Sequence, residues 1–163
     1  ESGRIHYTQW LDERGYMQAD LTVTKVKDDE FLVVATDTMH NHVHDHMIRR
    51  LTRNDHAFVT DVTARYTQIN VQGPRSRELL QKLTSQNLDN VAFPFRQAAN
   101  IDMGLARVLL SRITYVGELG YELFVPVEQA RGVFDSIAEI GAEFGLQYAG
   151  LRALGSLRMV SMC

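Results

Sequence analysis

Within Tyr115-Val116-Gly117-Glu118-Leu119-Gly120-Tyr121-Glu122, two tyrosines, two glycines and two carboxylates fall together in a stretch that otherwise reads as β-strand. Glycine inside a strand gives up packing and backbone entropy. Gly117 and Gly120 therefore predict a backbone that turns sharply or lets a flat ligand approach closely. On an unbroken strand Glu118 and Glu122 would share a face. A buried carboxylate needs N–H donors from a partner, and a heterocycle carrying an amino group beside a ring N–H supplies them. The same residues also spell a hairpin turn, with both glycines at positive φ and both glutamates in solvent. On residue types alone that alternative stands. No dinucleotide fingerprint and no phosphate-binding P-loop occurs in the chain.

Three further constellations carry potential chemistry. Asp20 opens an otherwise apolar and Thr-rich segment, either as a solvated strand end or as a deliberately placed carboxylate. Met39-His40-Asn41-His42-Val43-His44-Asp45-His46 holds four of the six histidines. On a helix His40/His44 and His42/His46 are i,i+4 pairs with metal-ligand spacing. No cysteine lies near them, and the reading adopted is a solvated helix surface without a metal. Gln72-Gly73-Pro74-Arg75-Ser76 could present a helix N-terminus to an anion, but the reading adopted is a plain strand-turn-helix junction. No Ser-His-Asp or Cys-His arrangement stands out.

These residues need elements to hold them. Asp20 to Lys27 is rich in Val and Thr and predicts a strand. A turn at Asp28-Asp29-Glu30 leads to a second strand at Phe31–Ala35. Thr36-Asp37-Thr38 offers caps to a helix running to about Arg53, with Met39, Val43, Met47, Ile48 and Leu51 as its apolar stripe. Strands follow over residues 57–61 and 66–71, then a helix from Pro74 to Leu83 with Leu79, Leu80 and Leu83 facing inward. Strands over about 105–115 and 121–125 flank the Gly-Glu-Leu-Gly turn. Pro126 opens a helix to about Phe144, ended by Gly145, and Ala149–Met162 forms a last helix. The predicted order is β-β-α-β-β-α-β-β-α-α. This is an α+β chain with helices packed on mainly antiparallel sheet, and a sub-domain boundary is expected near residues 85–98.

Composition narrows the function. The chain has 163 residues, 45% hydrophobic and 23% charged, enough for one domain or two small sub-domains. A formal net charge of −3 and the lack of a basic tract argue against a nucleic-acid partner. No apolar run approaches the roughly 18 residues of a membrane span, and Glu1-Ser2-Gly3-Arg4 does not read as a signal peptide. The single cysteine, Cys163, is the last residue, so no intrachain disulfide can form. A cytoplasmic location is expected, or the mitochondrial matrix for a eukaryotic parent. The chain does not begin with Met and reads as an interior piece of a longer polypeptide.

Four segments, in order and at suitable distances, give the chain a family resemblance. They are Gly15-Tyr16-Met17-Gln18-Ala19-Asp20-Leu21-Thr22-Val23, Val71-Gln72-Gly73-Pro74, Tyr115–Glu122 and Leu157-Arg158. Together they resemble the aminomethyltransferase family. This family includes the T-protein of the glycine cleavage system and the folate-binding half of dimethylglycine and sarcosine dehydrogenases. Gly3-Arg4-Ile5-His6-Tyr7-Thr8-Gln9-Trp10-Leu11 is more similar to the dehydrogenase branch. So is Leu154-Gly155, where T-proteins carry Arg-Asp. After Leu157-Arg158 the chain departs from the family, reading Met159-Val160-Ser161-Met162 without the usual Glu.

The resemblance implies packed α+β sub-domains that bind tetrahydrofolate, and transfer of a one-carbon unit from an N-methyl amine onto it. It implies Asp20 near the reactive folate nitrogens, as general base or electrostatic stabiliser, with Tyr115 and Glu122 holding the pterin. Glu118 is expected to be structural. The parent would carry FAD in a domain absent from this chain. The partners implied are folate and an N-methyl amine, with no membrane, and exposed apolar surface invites self-association of the piece. A non-catalytic folate-binding or structural protein of the same fold is the alternative.

Overall fold

The computed structural model describes residues 2–161. The chain divides between Ala64 and Arg65 into two compact units. Residues 85–98, where the sequence suggests a boundary, lie inside the second unit.

The first unit is a three-stranded antiparallel sheet with one helix. Strand β1 (Ile5–Leu11) pairs with β2 (Met17–Lys25), and β2 pairs with β3 (Phe31–Ala35). The β1–β2 turn is held by the Asp12 carboxylate, which accepts the backbone N–H of Arg14 and of Tyr16, both at 2.9 Å. Gly15 sits in that turn at φ +84°, a conformation other residues adopt only with strain. Alternate residues of β2, Ala19 and Leu21, are buried against Val43 of helix α1 (His40–Ile48), with Trp10, Met39 and Met47 around them. Asp20 and Thr22 therefore face the other side of the sheet.

The second unit has a four-stranded antiparallel sheet in the order β4-β7-β6-β5. Its strands are β4 (Tyr66–Gln72), β5 (Ala98–Met103), β6 (Ala106–Ser111) and β7 (Gly120–Pro126). Helix α2 (Ser76–Gln81) follows β4, and α3 (Ala130–Gly141) and α4 (Leu151–Ser161) follow β7. On β7 the odd positions Tyr121, Leu123 and Val125 are fully buried with Leu79 and Leu80 of α2, Val108 and Leu110 of β6, and Val133 and Ile137 of α3. The even positions Gly120, Glu122 and Phe124 face away from that core. Helix α3 continues as a single 3-10 turn and closes on Gly145 at φ +71°, where Leu146 N–H bonds back to the Gly141 carbonyl at 2.9 Å. That is a Schellman closure, and it fixes the helix end the sequence predicts.

The α+β class with antiparallel sheets and packed helices holds, while several elements differ from expectation. The sequence does not predict β1, and β2 begins at Met17, so Asp20 lies within a strand and not at its start. Residues 57–61 form no strand, and Phe58 is exposed. Their β-favouring side chains find no neighbouring strand to pair with, and propensity alone does not hold an extended segment. Strand β5, sequence Ala-Ala-Asn-Ile-Asp-Met, was missed because Ala, Asn and Asp disfavour strand. It forms because all six residues pair with β6 across the Gly104-Leu105 turn. The strand predicted through Tyr115 stops at Ser111, and the helix predicted to Arg53 ends at Ile48. Met162 and Cys163 lie outside the described residues. No helix among the described residues is long and apolar enough to cross a membrane.

Leu123 has no exposed surface and sits where β7 meets the helical layer. Leu123→Ala should lower unfolding free energy by about 3 kcal/mol, as for other fully buried leucines truncated to a cavity. Urea denaturation followed by circular dichroism checks it.

Candidate functional site

In the second unit, three of the segments singled out in the sequence meet. Gln72 pairs in register with Gly120. One residue on, the Gly73 N–H donates to the Leu119 carbonyl at 2.7 Å, and the Ser76 hydroxyl donates to the same carbonyl at 3.2 Å. Gly73 adopts φ +117° to make this turn. The Gln72 carboxamide lies across Gly120, so tightly that a β-carbon there would collide with it. Its oxygen accepts the Thr114 hydroxyl at 2.8 Å, and Thr114 in turn accepts the Val116 N–H at 3.2 Å. The connection from β6 to β7 is thereby pinned at its middle and at its end. Gly120 serves close approach of the Gln72 side chain, while Gly117 serves a turn at φ +79°.

Tyr115 stands on this pinned connection, 47% exposed. The guanidinium carbon of Arg158, on α4, lies 4.3 Å from its ring centroid. This is a cation–π contact, and it brings in the Leu157-Arg158 segment. Glu118 lies in the same connection, exposed and outside any strand, so it does not share a strand face with Glu122.

Glu122 is on β7, flanked in register by Asn70 of β4 and Ser111 of β6. It is half-buried and makes no hydrogen bond or ion pair with any described residue. Burial pushes its carboxyl up to about 7. A carboxylate kept from water without an N–H donor is costly in the charged form. The arrangement can accept a ligand that brings its own donors.

In the first unit, Asp20 pairs with Gln9 across β1–β2. The Tyr7 hydroxyl donates to Asp20 Oδ2 at 2.9 Å. Tyr7 pairs with Thr22, so it reaches Asp20 diagonally along one face of the sheet. The residue types of Ile5–Leu11 alone give Tyr7 no role; it is strand β1 that places it on this face. Asp20 belongs to the first unit, and Tyr115 and Glu122 belong to the second.

The histidine run is helical, and its rings have protein partners. His40 Nε2 lies 2.8 Å from Asp61, whose other carboxylate oxygen accepts the Thr63 N–H. His46 stacks on Trp10 with centroids 5.1 Å apart, and burial, then Arg50 and His42, hold its pKa below the ordinary value. No group of three or more His, Cys, Asp or Glu suited to a metal occurs among the described residues. The Gln72–Ser76 junction is a structural turn: α2 has six residues and its N-terminal groups are used by Leu119 and Gly73. Two open clefts, of about 560 Å³ beside Trp10, Met47 and Arg50 and about 600 Å³ beside Leu83, Gly104 and Val133, contain none of Asp20, Tyr115 or Glu122.

The model of the family described as GCVT N-terminal domain matches residues 1–162. A 4-methylaminobutanoate oxidase (formaldehyde-forming) of Paenarthrobacter nicotinovorans is 34% identical, over 97% of this chain and 19% of that protein. An aminomethyltransferase of Saccharopolyspora erythraea is 36% identical, over 96% of this chain and 42% of that protein. The chain thus spans less than half the length of these curated relatives. The crystal structure of glycine cleavage system aminomethyltransferase T from Bartonella henselae matches in fold with a TM-score of 0.80. It is 22% identical and covers 98% of this chain and 41% of that one.

The raised carboxyl of Glu122 makes a stability prediction. An unfolded Glu titrates near its ordinary value, so the folded state holds an extra proton between about 4.5 and about 7. Stability should therefore fall as pH rises through that window and stay level above it. Glu122→Gln should remove the fall and be more stable than the parent at pH 8 by on the order of 2 kcal/mol. At pH 4 the two should match. Thermal or urea unfolding at both pH values checks this.

Proposed function

Because the chain belongs to the GCVT N-terminal domain family of the aminomethyltransferases, we propose that it is the folate-holding part of a tetrahydrofolate-dependent one-carbon transferase. The observation that carries the reading is Glu122, a half-buried carboxylate without a protein partner among the described residues, in the segment that also carries Tyr115. The aminopterin edge offers an amino group and a ring N–H side by side, and a carboxylate accepts both as it would accept a guanidinium. Tyr115 supplies an aromatic face or a hydroxyl to the ring. Asp20 is the general base or the charge that stabilises an iminium formed from the donor. Tyr7 holds one oxygen of that carboxylate by its 2.9 Å hydrogen bond, leaving the other to act.

The donor in this reading is an N-methyl amine, oxidised by a flavin domain elsewhere in the parent, and the product is methylene-tetrahydrofolate. The resemblance of Gly3–Leu11 and of Leu154-Gly155 to the dehydrogenase branch supports that choice. A cytoplasmic or mitochondrial-matrix parent is consistent with this chemistry.

Calorimetric titration of the full-length protein with tetrahydrofolate tests the reading. Saturable binding is expected, weakened at least tenfold by Glu122→Ala, since that change removes a charged acceptor of two hydrogen bonds. No binding, or binding that Glu122→Ala leaves unchanged, overturns it. Asp20→Asn should leave tetrahydrofolate affinity within about threefold while lowering folate-dependent turnover on the order of a hundredfold or more. Unchanged turnover would remove Asp20 from the mechanism.

A further inference from the structure

Glu122 does not stand alone on its face of the sheet. Asn70, Glu122 and Ser111 occupy one register row across β4, β7 and β6, so their side chains leave the sheet on the same side, about 4.8 Å apart from strand to strand. Ser111 is 3% exposed, yet its hydroxyl makes no hydrogen bond with any described residue. No buried side-chain polar atom that is wholly sealed from solvent lacks a partner among the described residues. The Ser111 oxygen therefore keeps a narrow opening to solvent, and its hydroxyl is free to bond a molecule that reaches it there. Asn70 is exposed, and its carboxamide is oriented: Gln68 Nε2 donates to Asn70 Oδ1 at 3.3 Å. That contact leaves both N–H groups of Asn70 to face outward.

Read across the strands, the row is a hydroxyl donor, a carboxylate with two acceptor oxygens, and an amide donor. The order donor–acceptor–acceptor–donor complements one class of planar heterocycle edge, acceptor–donor–donor–acceptor. A 2-amino-4-oxo pyrimidine ring fused in a pterin presents that edge: a ring nitrogen, the amino group, the ring N–H and the oxo group. We infer that Asn70 and Ser111 flank Glu122 as specificity-determining residues that select a 2-amino-4-oxo ring. The inference rests on the folate reading above and adds to it which residues choose the ring. Asn70, the longer and more exposed side chain, donates to the projecting oxo oxygen. Ser111, short and buried, donates to the ring nitrogen beside the amino group.

Replacing the oxo oxygen by sulfur keeps the ring N–H that faces Glu122 and weakens only the acceptor opposite Asn70. The wild-type protein should therefore bind a 4-thioxo analogue of folate less tightly. Asn70→Asp substitutes an acceptor at nearly constant shape and should abolish that preference.

The test uses the full-length protein and calorimetry with two probes, tetrahydrofolate and its 4-thioxo analogue. Wild type should bind tetrahydrofolate about fivefold or more tightly than the analogue, the scale of one weakened hydrogen bond. Asn70→Asp should weaken tetrahydrofolate more than the analogue, so that their ratio falls to about one. Ser111→Ala should weaken both ligands to the same extent, since both keep the ring nitrogen. Circular dichroism melting confirms that each variant is folded, and exposed Asn70 gives little reason for loss of stability. Loss of binding in Glu122→Ala together with an unchanged ligand ratio in Asn70→Asp would overturn the inference and leave the folate reading intact. No tetrahydrofolate binding by the wild type would overturn both.

Discussion

The Gln72 carboxamide lying over Gly120 is the contact on which the second unit's site depends. It joins the last pair of the β4–β7 ladder to the incoming loop, and Thr114 locks it there. Without a side chain at position 120, the two backbones can pair while the carboxamide fills the space above them. The strand that carries Glu122 and the loop that carries Tyr115 are both fixed from this one junction. A longer side chain at 120 would push the carboxamide off Thr114 and free the loop at its middle.

Around that junction the unit separates two jobs by the alternation of β7. Odd positions make a core with α2, β6 and α3, and Arg77 reaches the fully buried Tyr121 hydroxyl at 3.2 Å to satisfy its polar end. On the even face, Gly120 lies under the Gln72 carboxamide and Phe124 is buried, and Glu122 between them is half-buried. Such a strand can hold an uncompensated carboxylate because the other face supplies the folding energy. The first unit uses the same device: Ala19 and Leu21 pack on α1, and Asp20 turns to the opposite face, where Tyr7 meets it.

What the sequence disclosed follows from where its information is local. The apolar run Phe31–Ala35, the alternation around Leu123 and the Gly145 helix stop each carry their own signal, and the structure has them. Strand β5 carries almost none; its six residues are extended because β6 is beside them. Residues 57–61 show the reverse, a β-favouring string with no strand to join. Among the site residues, the types and spacing of Gly117, Gly120 and Glu122 allow a ligand edge, yet by themselves favour a hairpin turn. The structure has both a turn at Gly117 and a strand-borne carboxylate at Glu122. Tyr7 and the flanking Asn70 and Ser111 were not legible, because register across strands decides who neighbours whom, and register is not written in any one segment.

The division of the chain between Ala64 and Arg65 has an evolutionary reading. Asp20 is built on one self-packed body and Glu122 on another, each with its own hydrophobic interior. Substitutions that retune one carboxylate's surroundings need not disturb the packing that supports the other. Such a chain can change in one body while the other keeps its packing. Descendants could then inherit one body unaltered and differ in the other.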